Sequence, residues 1–203
     1  MTAHATSPDT PIFLVGMMGS GKSTVGRRLA STLGRPFIDS DKEIEQRCGV
    51  TVATIFELEG EAGFRRREAA LVDELSARPG LVLATGGGAV LLEENRRHLR
   101  ERGFVVYLCA NVSELWHRLR HDKVRPLLRA PNPRQRIAEL VTERDPLYRD
   151  CADLVVMTGR QPVDMVVREI HRAMQVQESP APMGQARESQ APRPSVSEDP
   201  ASS

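Results

Sequence analysis

The sequence predicts an α/β fold in which a parallel β-sheet is covered by helices on both faces. Short apolar segments alternate with segments of helical periodicity along most of the chain. This alternation is typical of βα units, whose parallel strands lie buried between helices. A glycine-rich loop between the first apolar segment and the first periodic one fits the same scheme. Ligands of such sheets bind beyond the carboxyl ends of the strands, so polar segments at those ends are the candidate functional residues.

The elements follow one another in strict order. The first strand is the apolar run IFLV, and the helix after the glycine loop places Val25, Leu29 and Leu33 at helical spacing. The predicted strands cover residues 12–15, 36–38, 81–84, 105–108 and 154–156. The predicted helices cover residues 22–33, 41–48, 52–58, 65–77, 92–101, 112–120, 133–148 and 162–176.

Residues 11–177 form one predicted domain, preceded by a flexible segment, residues 1–10. Residues 178–203 are rich in Pro, Ser, Ala and Gln and have no apolar periodicity. Such a segment cannot bury enough apolar surface to offset its ordering entropy, so we predict a disordered tail.

Composition excludes several classes of partner. The 28 basic and 27 acidic residues nearly balance, which gives no reason to expect nucleic acid or an anionic membrane. No apolar run is long enough to span a membrane, and the N-terminal residues lack the apolar core of a signal peptide. The three cysteines are scattered, which fits reduced thiols. We therefore expect a cytoplasmic protein.

The glycine-rich loop has the sequence GMMGSGKST, residues 16–24, and fits the pattern G-x-x-x-x-G-K-[ST] without mismatch. Backbone N–H groups of such a loop and the N-terminus of the following helix bind phosphates. Lys22 is expected at the β- and γ-phosphates of ATP or GTP, and the Ser23 hydroxyl at Mg²⁺. The residues expected to contact the nucleotide here are Gly19, Ser20, Gly21, Lys22, Ser23 and Thr24.

Two further polar clusters follow predicted strands. Asp39 and Asp41 come directly after one strand and can serve Mg²⁺ and a nucleophilic hydroxyl separately. The alternative is that one of them caps the next helix, since Asp is a favoured cap, although Ser40 is the residue expected to do so. Thr85 and the three glycines of residues 86–88 follow another strand, where a ligand could approach the backbone closely.

Arginines supply the remaining candidates. A predicted helix begins with three arginines, Arg65, Arg66 and Arg67. Positive charge is disfavoured at a helix N-terminus, so an anion is expected nearby, although Glu61 and Glu68 could partly compensate. Arg125 lies in a Pro-punctuated basic segment that predicts a mobile lid, residues 121–133. Five arginines are interpreted as ordinary surface residues: Arg66, Arg78, Arg96, Arg97 and Arg100.

Together these segments resemble the shikimate kinase family over about residues 11–176. The matching motifs are GMMGSGKST (16–24), DSD (39–41), GFR (63–65), LATGGG (83–88), VRPLL (124–128) and RDPLY (144–148). The resemblance implies a three-layer P-loop kinase fold, similar to the nucleoside monophosphate kinases, with a five-stranded parallel sheet, a substrate-binding region and a lid. It also implies transfer of the γ-phosphoryl group of ATP to the 3-hydroxyl of shikimate, in aromatic amino-acid biosynthesis, by a monomer.

The resemblance further assigns roles to single residues. Lys22, Asp41 and Arg125 would be catalytic, with Asp41 as the candidate base and Arg125 on the phosphates. Asp41, Arg65, Gly87 and Arg144 would bind shikimate, Arg65 and Arg144 through its carboxylate. Ser23 would ligate Mg²⁺ directly and Asp39 through water, while Arg118 and Gln161 would contact adenine.

Two other functions stay open at this point. Another small-metabolite kinase, such as a gluconate kinase, would share the phosphate loop and the fold but is not expected to combine all of these motifs. A catalytically silent nucleotide-binding protein would share the architecture, but it would be expected to have lost at least one of the residues assigned to chemistry.

Overall fold

The computed structural model describes residue 7, residues 9–120 and residues 132–178. For residues 177 and 178 it describes the backbone only. Five strands form one sheet: β1 (Ile12–Val15), β2 (Phe37–Asp39), β3 (Val82–Ala84), β4 (Phe104–Cys109) and β5 (Leu154–Met157). All paired strands are parallel, in the order β2-β3-β1-β4-β5. The predicted parallel sheet is confirmed.

The helices are α1 (Lys22–Leu33), α2 (Ser40–Cys48), α3 (Val52–Ser76), α4 (Glu93–Arg102), α5 (Val112–Leu119), α6 (Pro133–Cys151) and α7 (Val163–Glu178). A short 3₁₀ helix, Ala89–Leu91, precedes α4. Alternating strand residues divide the core between the two faces of the sheet. Ile12 and Leu14 pack with α1 and α7, whereas Phe13 and Val15 pack with helices α2 to α6. Three layers result.

The strand order brings the predicted functional segments together. In the sheet register, Ala84 at the end of β3 lies beside both Leu14 of β1 and Asp39 of β2. The three segments that leave these strands therefore start from the same edge, because the carboxyl ends of parallel strands coincide.

The region between residues 52 and 77 differs from the prediction of two helices that start at residues 52 and 65. The chain is helical throughout α3 except at Gly60, which has φ 68° and ψ −179°. Across this kink the Phe56 and Phe64 rings lie 4.8 Å apart, and Arg67 pairs with Glu59 at 2.6 Å. These contacts hold the two parts of α3 together across the kink. The part after the kink begins directly after Gly60, so Arg65 lies beyond its first turn. The prediction that it opens a helix is wrong.

Other sequence expectations have simpler outcomes. The three cysteines are free thiols. Among the described helices, none has both the length and the apolar character needed to cross a membrane. Of the predicted N-terminal segment, Asp9 and Thr10 are bonded through their carbonyls to Gly80 and Arg35. The predicted tail lies outside the described residues, apart from Glu178 at the end of α7.

Candidate active site

A cleft of about 760 Å³ runs along the carboxyl edge of the sheet. The predicted site residues on its wall include Lys22, Ser23, Asp39, Asp41, Gly87, Arg118 and Gln161. Within the described residues, Arg65 and Arg144 are not part of this wall. They contact the glycine loop that follows β3, so they flank the cleft rather than line it.

The loop between β1 and α1 has the geometry of an anion-binding loop. Gly21 caps α1 with φ 100°, and no acidic side chain lies in the first helical turn. The N-terminus of α1 is therefore free to favour an anion. Lys22 is 8% exposed and its ammonium donates to the carbonyls of Gly16 and Met17, at 2.7 and 2.9 Å. These bonds keep its charge at the loop.

Asp39 links the phosphate loop to β2. One of its carboxylate oxygens accepts a hydrogen bond of 2.5 Å from the Ser23 hydroxyl, and the other accepts one of 3.3 Å from the Lys42 N–H. Asp39 is thus the cap of α2. The predicted capping role of Ser40 is wrong, because its hydroxyl instead accepts a bond of 2.8 Å from the N–H of Gly86.

The three glycines after β3 leave room for side chains. A Cβ atom on Gly86 would lie 2.5 Å from Glu68 Oε1 and 2.7 Å from Asp41 Oδ1. A Cβ atom on Gly88 would overlap the guanidinium of Arg65. Gly88 has φ −104°, which any residue adopts, so the requirement for glycine there is one of space.

Charged groups gather behind these glycines. Glu68 is 0% exposed and pairs with Arg65 at 2.6 Å; Glu61 pairs with Arg65 at 3.0 Å. Burial raises the pKa of the Glu68 carboxyl, Arg65 and Arg144 oppose that rise, and Asp41 adds to it. Despite burial, the pairing with Glu68 and Glu61 raises the pKa of Arg65, which therefore stays charged. The half-buried Arg65 and the buried Arg144 thus both act on the charge of the Glu68 carboxylate.

Gly87 is held from α6. Its carbonyl oxygen accepts a bond of 2.5 Å from the Tyr148 hydroxyl and one of 3.3 Å from Arg144. Arg144 is 4% exposed, and in the described part of the chain its Nε has no hydrogen-bond partner. A buried guanidinium with unused donor capacity is suited to a carboxylate ligand, which can accept two parallel bonds.

Arg118 connects the phosphate loop to the segment between β5 and α7. Its guanidinium donates to the carbonyls of Gly19, Thr158 and Gly159, at 2.9, 3.1 and 2.8 Å. Gln161 donates to the Met157 carbonyl at 3.3 Å. Both side chains line the cleft on the side of the phosphate loop, where a nucleotide base would extend.

Comparison with known proteins identifies the family. A sequence model described as "Shikimate kinase" matches residues 18–175. The shikimate kinase of Bordetella avium (strain 197N) is 56% identical over 170 residues, which cover 84% of this chain and 81% of that protein. The chain belongs to the shikimate kinase family.

Solved structures agree with this assignment to the shikimate kinase family. The shikimate kinase from Acinetobacter baumannii in complex with shikimate is similar, with a TM-score of 0.81 and 47% identity over 83% of this chain and 94% of that chain. A gluconokinase from Sinorhizobium meliloti 1021 has a TM-score of 0.53 at 20% identity, over 84% of this chain and 94% of that chain. At that identity the likeness concerns the fold alone.

Sequence reasoning missed several features of this shikimate kinase family site. The sequence indicates for Glu68 only a compensating charge and for Tyr148 no role beyond its place in the RDPLY motif. Arg96 is not an ordinary surface residue: its side chain is 12% exposed and donates to the carbonyl of Val90 at 2.5 Å, after the glycine loop. Only the fold brings Glu68 and Tyr148 to the glycine loop. Arg125 and the predicted lid up to residue 131 lie outside the described residues.

Proposed function

We propose that this protein transfers the γ-phosphoryl group of ATP to the 3-hydroxyl of shikimate, giving 3-phosphoshikimate and ADP in aromatic amino-acid biosynthesis. The observation that carries the proposal is one cleft with the phosphate loop on its wall, flanked by the buried Arg144 at Gly87 and the half-buried Arg65 at Gly88. Shikimate is a small carboxylate with three hydroxyls, so this arrangement matches its charge and its reacting group. The two shikimate kinases named above are covered by this chain over 81% and 94% of their length.

On the nucleotide side, Lys22 and the N–H groups of residues 19–24 bind the phosphates. Arg118 and Gln161 contact the base. Ser23 and Asp39 present oxygen atoms 2.5 Å apart beside the phosphate loop, and such donors suit Mg²⁺. We propose that Ser23 binds the ion directly and Asp39 through water. When bound, Mg²⁺ neutralises charge on the β- and γ-phosphates.

On the acceptor side, Arg65 and Arg144 hold the shikimate carboxylate and Gly87 contacts the ring through its backbone. Asp41 lines the same cleft as Lys22. It accepts the proton of the 3-hydroxyl, or aligns that hydroxyl, as the oxygen attacks the γ-phosphorus. Phosphoryl transfer depends chiefly on such alignment and on charge stabilisation. Arg125 at the phosphates stays a prediction from the sequence.

We also propose that the protein acts as a monomer in the cytoplasm, without nucleic acid or membrane partners. Its 28 basic and 27 acidic residues support the absence of polyanionic partners. Size-exclusion chromatography with light scattering tests the first point, since a mass twice that of the chain would contradict it.

The decisive experiment measures ADP release from Mg²⁺ and ATP with shikimate, gluconate or a nucleoside monophosphate as acceptor. Stimulation by shikimate alone is expected, and phosphate should appear on its 3-hydroxyl in the ³¹P and ¹H spectra. Omission of Mg²⁺ should abolish the reaction. Stimulation by gluconate instead would overturn the acceptor, and ATP binding without stimulation by any acceptor would favour the silent nucleotide-binding protein.

A further inference from the structure

The glycine loop, residues 86–88, is flexible by composition, but the carbonyls of all three glycines accept hydrogen bonds. Three consecutive glycines have wide conformational freedom, so the loop keeps a single shape only where hydrogen bonds fix it. The Gly86 carbonyl accepts from the N–H of Ala89 at 3.2 Å, and the Gly88 carbonyl accepts from the N–H of Leu91 at 3.0 Å. Gly87 lines the cleft, and its carbonyl takes part in neither of these two backbone hydrogen bonds.

The Tyr148 hydroxyl supplies the missing contact. It lies 2.5 Å from the Gly87 oxygen, much closer than the 3.3 Å of the Arg144 guanidinium. Tyr148 is fully buried, and burial raises the pKa of its phenol, which therefore remains a donor. Its only other acceptor among the described contacts is the Met17 sulfur at 3.6 Å, a weak one. The single phenolic proton is thus committed to Gly87.

We propose that Tyr148 is a positioning residue for the acceptor substrate, acting through the Gly87–Gly88 peptide. The proposal rests on the proposed function, because it concerns how shikimate meets Gly87. A peptide unit is planar, so a fixed Gly87 carbonyl also fixes the N–H of Gly88 on the opposite side. In the described part of the chain, the N–H groups of Gly87 and Gly88 have no hydrogen-bond partner. The loop therefore offers the acceptor a fixed backbone and loses little entropy on binding.

A second tyrosine provides a matched control. The ring of Tyr107 stacks on that of Tyr148, with centroids 4.9 Å apart, and Tyr107 is also buried. Its hydroxyl donates to a carboxylate oxygen of Asp145 at 2.8 Å and not to the glycine loop. Tyr107→Phe and Tyr148→Phe therefore remove the same atom from the same aromatic pair, and only one of them frees Gly87.

The test measures KM for shikimate and for ATP in both variants. Loss of one neutral hydrogen bond should raise KM for shikimate about five- to tenfold in Tyr148→Phe, with kcat changed less. KM for ATP in that variant, and both KM values in Tyr107→Phe, should stay within about twofold of the wild-type values. An unchanged KM for shikimate in Tyr148→Phe would overturn the proposal. Equal effects of the two variants would overturn it as well, because they would indicate general loosening of α6.

Amide spectra separate this proposal from the proposed function. The N–H signals of Gly87 and Gly88, recorded without substrate, should shift in Tyr148→Phe and not in Tyr107→Phe. A wild-type protein that shikimate does not stimulate would defeat the proposed function, and the amide shifts would still report whether Tyr148 sets this peptide. Unmoved signals in Tyr148→Phe would overturn the positioning role whatever the acceptor is.

Discussion

The hydroxyl of Ser40 accepts a 2.8 Å hydrogen bond from the N–H of Gly86, although 46 residues separate them. Both residues are buried, and the bond ties the start of α2 to the loop after β3. Asp41 and Gly87, which follow Ser40 and Gly86 directly, both line the cleft. The part of the site proposed for the acceptor substrate depends on this hydrogen bond.

Ser40→Ala should lower the free energy of unfolding by about 1–3 kcal/mol, because the Gly86 N–H would remain buried without a partner. Urea unfolding measures the change. Ser113 is an exposed serine in α5, so Ser113→Ala serves as the control and should have little effect. Equal stability of the two variants would contradict the role given to the Ser40 hydroxyl.

Gly88→Ala should weaken shikimate binding while nucleotide binding persists, because the new methyl group takes the place of the Arg65 guanidinium. Calorimetric titration with each ligand distinguishes the two effects. Overpacking of this kind costs about 1–3 kcal/mol, which corresponds to roughly five- to 150-fold in affinity. If displacement of Arg65 is the cause, the double variant with Arg65→Ala should bind shikimate no more weakly than Arg65→Ala alone. Additive losses would contradict that cause.

Asp41→Asn should reduce kcat by about 10²-fold or more, the usual range for loss of a general base. The amide keeps the shape of the carboxylate, so calorimetry should still detect shikimate binding. Asp164 is exposed and pairs with Arg28, which makes Asp164→Asn a suitable control with near-normal turnover. Near-normal turnover of Asp41→Asn would remove this residue from the chemistry.

Arg144→Lys should raise KM for shikimate by about tenfold or more and leave KM for ATP nearly unchanged, because lysine keeps the charge but loses the planar fork that matches a carboxylate. Arg149 lies on the same helix, is exposed and pairs with Asp145. Arg149→Lys should therefore leave both KM values close to wild type. An unaltered shikimate dependence in Arg144→Lys would count against its carboxylate role.

Glu68 should make stability depend on pH. Its pKa in the folded protein lies above the ordinary value of 4.5 because the carboxyl is buried. Between the unfolded and folded pKa values the folded state binds more protons, so this group lowers the free energy of unfolding as pH rises above about 4.5. Glu68→Gln cannot titrate. Urea midpoints of the variant should therefore rise relative to wild type as pH increases from 4.5. Parallel pH curves for the two proteins would contradict the raised pKa.

Local sequence patterns predicted much of this site. The GMMGSGKST loop and the acidic residues at the carboxyl end of β2 follow from rules about strand ends and phosphate loops, and the sheet order brings them together as expected. The reason for glycine at position 88 was not predictable, because it depends on a guanidinium that arrives from α3. The same holds for Ser40, whose partner lies beyond the reach of any local capping rule. Tyr148 donates to the carbonyl of Gly87, which is far away in sequence. Arg96 donates to the carbonyl of Val90, which lies in a separate short helix. A single sequence reveals neither bond.

The amino ends of the strands lie opposite the cleft, and the backbone contacts there have a practical use. Asp9 is exposed, and its carbonyl accepts from Gly80, which lies ahead of β3, just as Thr10 precedes β1. These positions lie at the amino ends of the strands, so the cleft faces the other way. Cys48 is a half-buried free thiol and would have to be replaced first. A sensor surface coupled through Asp9→Cys in a Cys48→Ser background would hold the protein with its nucleotide loop towards the solution. Affinities for ATP measured on such a surface should equal those measured free in solution.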